Sequence, residues 1–159
     1  MDSLFPLFIR YFAFFAAAIS VLNWITANRR LEASGRATVV IERGVAVARG
    51  LYGSLVAFFL WLGLMQVLGG YPNALFFLQR PFANWHVAAV WAGLYGFWGL
   101  WLFALWRTDA ASAMIDAGMV QPRDLSPTVL RWLGTATIVF QAVALPLFAA
   151  RTTASVFGR

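Results

Sequence analysis

Trp85 to Arg107 reads WHVAAVWAGLYGFWGLWLFALWR, an apolar run with no acid or arginine before its last residue. About 20 such residues suffice to cross the hydrocarbon core of a bilayer, so the run predicts a membrane-spanning helix. It holds Trp85, Trp91, Trp98, Trp101 and Trp106 out of 8 tryptophans, the single histidine, His86, and the glycines Gly93, Gly96 and Gly99.

The rest of the chain has the same character. Of its 159 residues 62% are hydrophobic and 11% charged, against about 45–50% and 25% in soluble domains. A single membrane domain follows, because several spans leave no room for a sizeable soluble one. All 12 basic residues are arginines and the formal charge is +6. In so apolar a chain this excess points to topology signals and anionic headgroups, and not to nucleic acid. With no cysteine, disulfides, thiolate metal sites and a cysteine nucleophile are excluded.

Three further apolar runs flank the first. Leu4 to Ile25 predicts a span with Pro6 in its first turn and Arg10 snorkelling to the interface. Ala16-Ala17-Ala18 resembles a signal-peptidase site, but Asp2, Arg10 and the apolar run continuing to Ile25 favour an uncleaved helix. Leu51 to Leu68 predicts a second span, mostly a lipid-facing and helix-packing surface, closed by Gly69, Gly70 and Pro72. Thr128 to Ala150 predicts a fourth, opened by Ser126-Pro127 and bent near Pro146.

The connections set the expected topology. Residues 27–50 carry Arg29, Arg30, Arg36, Arg43 and Arg49, a basic surface for anionic lipid or a partner. Glu32 and Arg36 have the spacing of a helical ion pair, but Gly35 and the β-branched Thr38–Ile41 predict only partial helix. Residues 69–84 form an aromatic connection with Tyr71, Phe76, Phe77, Phe82 and one charge, Arg80; Asn73 can cap a short helix ending before Pro81. Residues 107–127 combine Arg107, a short helix after Asp109 stopped by Gly118, and the linker 121–124 with Arg123. Connections one and three outweigh Arg80, Arg151 and Arg159, so the positive-inside rule places them in the cytoplasm and both termini outside. The expected fold is an all-α integral membrane bundle of four helices, spanning about 4–25, 51–68, 85–106 and 128–150, in a bacterial inner membrane.

Catalytic vocabulary is sparse. No acid falls inside a span, and no His-Glu-x-x-His, Gly-x-Ser-x-Gly or phosphate-binding glycine loop occurs. Ion-coupled transporters usually need such a group at membrane depth. His86 is the one candidate for chemistry: Ala89, Gly93 and Gly96 share its face, as a haem, pigment or quinone would require, with Met65 as the imaginable second haem ligand. A hydrogen-bonded interfacial histidine is the simpler reading, so no cofactor is favoured. Ala89, Trp91, Gly93, Tyr95, Gly96, Trp98 and Gly99 read as a helix-packing surface.

These observations predict a non-catalytic subunit of a larger respiratory, photosynthetic or transport assembly, contacting partner helices and lipid. Two alternatives stand beside it: an electron-transfer anchor using His86, and a homo-oligomeric channel or small-solute exporter.

Overall fold

The computed structural model describes residues 4–78, 84–120 and 125–157. Expectations for Met1, Asp2, Arg80, Pro81, Phe82, the linker 121–124 and Arg159 lie outside these residues. Six α-helices follow in order: α1 (Leu4–Arg10), α2 (Phe12–Glu32), α3 (Thr38–Leu68), α4 (Trp85–Arg107), α5 (Ala110–Asp116) and α6 (Pro127–Phe157). A 3-10 helix, Ala74–Leu78, lies between α3 and α4, and no strand occurs among the described residues. Among the described residues three helices are long and apolar enough to cross a membrane: Thr38–Leu68, Trp85–Arg107 and Pro127–Leu147.

The apolar stretch at the N-terminus is two helices broken at Tyr11, and α2 runs on to Glu32 through Asn23, Asn28, Arg29 and Arg30, which dilute its apolar character. Strung from Thr38, α3 is 31 residues long, about 46 Å at 1.5 Å per residue. It exceeds a hydrocarbon core of about 30 Å, and its charges, Glu42, Arg43 and Arg49, are confined to its first half.

That first half is helical where only partial helix was expected, because packing overrides the weak propensity of Thr38–Ile41. Gly44 and Ala48 lie one turn apart and are buried. A Cβ on Gly44 would stand 2.8 Å from the Ala117 Cβ and 3.1 Å from a Leu31 methyl. The missing side chain therefore lets α2 and α5 close on α3. The turn between α2 and α3 reverses at Gly35, whose φ of 65° favours glycine. Glu32 and Arg36, whose spacing Gly35 was expected to spoil for an ion pair, do not pair. Arg36 instead donates from Nη1 to the Asp116 carbonyl at the C-terminus of α5, where a cation offsets the helix dipole.

Toward the other end, α2 presents Ala13, Ala17 and Ser20 to α3, a small-residue ridge that permits close helix approach. Gly63 of α3 receives the Phe14 ring, whose nearest atom would lie 2.8 Å from an added Cβ. Ala13, Leu62, Met65, Phe77, Val87, Val90 and Trp91 form the core there, with Leu145 of α6 packed on it. The 3-10 helix and Leu145 of α6 thus lie at one end of the bundle, and α5 with Arg36 occupies the arginine-rich opposite end.

Candidate functional site

α4 starts at a capped terminus: the Asn84 Oδ1 accepts from the Val87 N–H at 3.0 Å, while its Nδ2 donates to the Tyr71 hydroxyl. His86 is thereby held in the first turn, half-buried. Its ring lies on Trp85, with centroids 3.7 Å apart, and meets Tyr71 edge-on at 6.2 Å. Among the described residues its imidazole has no hydrogen-bond partner, and no group of three metal-ligating side chains occurs. Met65 is buried in the core cluster, and His86 is not among the residues packed on that cluster.

The small-residue face beyond His86 divides into two parts. The Trp61 indole of α3 occupies the plane beside Gly93, 2.9 Å from where a Cβ would stand, and donates to the Ala89 carbonyl at 3.3 Å. An indole therefore lies in the place beside Ala89 and Gly93 that a flat cofactor, the less favoured reading of this face, would have taken. A Cβ added at Gly96 or Gly99 would meet nothing within 4 Å. Of the aromatic residues expected to pack, Trp91 and Trp98 are buried and Tyr95 is exposed along its ring.

Tyr95 performs a task that its position in the sequence does not announce. Pro146 inside α6 has no N–H, so the carbonyl four residues earlier, on Ala142, loses its helical donor. The Tyr95 hydroxyl donates to that carbonyl at 3.1 Å. Gln66 does the same at the α1–α2 break. There the Phe14 N–H turns to the Tyr11 carbonyl, and the freed Arg10 carbonyl accepts from Gln66 Nε2 at 2.7 Å. Gln66 is 5% exposed and so stands on the packing side of a span expected to be both lipid-facing and helix-packing. Trp91 Nε1 donates to the Phe77 carbonyl at 2.9 Å and pins the 3-10 helix. Cross-chain donors repeatedly end on backbone carbonyls, as a medium without water demands.

A second feature escaped the sequence reading. Ala46, Gly50 and Ser54 recur every four residues on α3 and, with Leu100, Trp101, Ala104 and Thr108 of α4, line an open groove of about 290 Å³. A Cβ added at Gly50 or Gly53 would meet nothing within 4 Å. The signal was the i, i+4 recurrence of small residues, hidden because 38–50 was read as a connection. Arg131, a charge inside the fourth expected span, was also passed over; its Nε is buried without a partner. Arg29, Arg30, Arg43 and Arg49 are exposed and Arg36 is half-buried.

No family model matches the chain, and no match is found among curated proteins or solved structures.

Proposed function

We propose that this chain is a non-catalytic subunit of a larger membrane assembly, docked through its third and fourth helices to partner helices. The supporting observation is a division among its glycines. A Cβ added at Gly44, Gly63, Gly93 or Gly134 would run into a side chain of the bundle, whereas one added at Gly50, Gly53, Gly96 or Gly99, also on α3 and α4, would meet nothing within 4 Å. In hydrocarbon the hydrophobic effect does not drive helices together, so small residues act by allowing close van der Waals approach. Open glycines on α3 and α4 give partner helices that approach.

In this reading α2 crosses the membrane as a fourth span, both termini lie outside the cytoplasm, and the arginine-rich end faces inward in a bacterial inner membrane. Purification in mild detergent tests it. Stoichiometric partner chains are expected to accompany the protein, and Gly50→Leu with Gly99→Leu should release them without unfolding the chain. A clean monomer or homo-oligomer from the native membrane would overturn the proposal.

A further inference from the structure

Two cavities adjoin at Leu51 and Met114. The first, about 540 Å³, opens at the arginine-rich end and has Arg30, Ser34, Arg36 and Tyr52 in its wall. The second, about 320 Å³, is an almost wholly apolar groove between α4 and α6, lined by Trp98, Trp101, Ile138 and Gln141 among others. It exists because α6 is held by two separated contacts. Near the arginine-rich end, Trp106 Nε1 donates to Thr135 Oγ1 at 2.8 Å and packs edge-on against Trp132. Near the other end stands the Tyr95–Ala142 hydrogen bond. Between these points the helices part.

From this juxtaposition we infer a binding site for one anionic glycerophospholipid, with its phosphate between Arg30 and Arg36 and an acyl chain along the α4–α6 groove. Neither arginine has an ion-pair partner among the described residues. Arg36 is set in place: its guanidinium lies against Gly118, 2.6 Å from where a Cβ would stand, and one donor holds the Asp116 carbonyl. An arginine carries five N–H donors, so the others stay free for phosphate oxygens. Side chains of Leu51 and Met114 stand at the junction, and a thioether adapts readily to a chain passing it. Trp101 is six residues from the end of α4, about 9 Å along the axis, and its indole N–H is buried without an acceptor. A glycerol ester carbonyl is an acceptor that a phospholipid brings to that depth. The lipid sits on this chain alone, so the site deepens the lipid-contact part of the reading above and does not require partner subunits.

The test uses the isolated full chain in neutral detergent, mixed with phosphatidylglycerol, with phosphatidylcholine of the same chains, or with inorganic phosphate, and weighed by native mass spectrometry. One phosphatidylglycerol per chain should be retained, and phosphatidylcholine should be lost. Arg30→Ala should reduce retention roughly fivefold, the scale of one basic residue at an anionic surface. Thr137→Trp fills the groove from an exposed position whose hydroxyl bonds only within its own helix, and should abolish retention with both arginines intact. Should Arg36→Ala fail to fold, these two variants carry the test. Equal retention of phosphatidylcholine, displacement by inorganic phosphate, or unchanged retention in Thr137→Trp would each overturn the site.

Discussion

A phenol hydroxyl and a proline ring define the sharpest single-residue prediction. Tyr95→Phe leaves the Ala142 carbonyl without a donor, because Pro146 supplies none. Interhelical hydrogen bonds in bilayers contribute about 0.6 kcal/mol, up to roughly 1.7, and an orphaned carbonyl belongs at the upper end, so a loss of about 1 kcal/mol is expected. Pro146→Ala restores the N–H, and in that background Tyr95→Phe should change stability little. A double-mutant cycle of unfolding in mixed micelles reads the difference; equal losses in both backgrounds would reject the pairing. Gln66→Leu should likewise destabilise the chain by about 1 kcal/mol, since the Arg10 carbonyl then lacks its partner, and Gln66→Met, of similar volume, should not rescue it. Neither pairing was legible in the sequence. The bend near Pro146 was, but the donors stand 47 and 56 positions from the carbonyls of Ala142 and Arg10 that they serve, and hydropathy does not say which face a polar residue occupies. His86 was visible as the lone imidazole, whereas Trp61 filling the face beyond it follows only from how α3 packs on α4.

At the level of elements, the short α5 is a wedge whose fit depends on one missing side chain. Gly44→Ala would put a Cβ 2.8 Å from the rigid Ala117 Cβ, and the Leu31 methyls leave no space in which to yield. Overpacking of this kind costs about 1–3 kcal/mol. The 107–126 connection should then become more sensitive to protease, while Gly50→Ala, which meets nothing within 4 Å, leaves the same digest unchanged. Termini of these elements were well marked in the sequence. Ser126 caps α6 through the Val129 N–H at 3.2 Å with Pro127 in the first position, and Gly118, at φ 66°, ends α5. Asp109 precedes α5 as expected, yet its side chain makes no cap bond; Thr108 Oγ1 accepts from the Ala110 N–H instead. The extension of α3 back to Thr38 was not legible, because the glycine and alanine that stabilise it act only when α2 and α5 are already beside them.

For the whole molecule, composition and apolar run length established an all-helical membrane protein with three helices long enough to cross. They did not establish whether α2 is a fourth crossing, because its last turns mix apolar residues with Asn28, Arg29, Arg30 and Glu32. A reporter fused after Arg159 addresses the proposed topology: activity outside the cytoplasm is expected, and a cytoplasmic signal would reject it. The most apolar element of all was recognised from Trp85 onward, but the element left least covered is the last. No residue of Pro127–Leu147 is buried, and α6 holds to α4 through Trp106 at one end and Tyr95 at the other. A helix so attached adds little to the enclosure of the others, which already close around Gly44 and Gly63. A chain lacking α6 would therefore still have Leu31, Ala117 and Phe14, the partners of the close contacts at Gly44 and Gly63, in place.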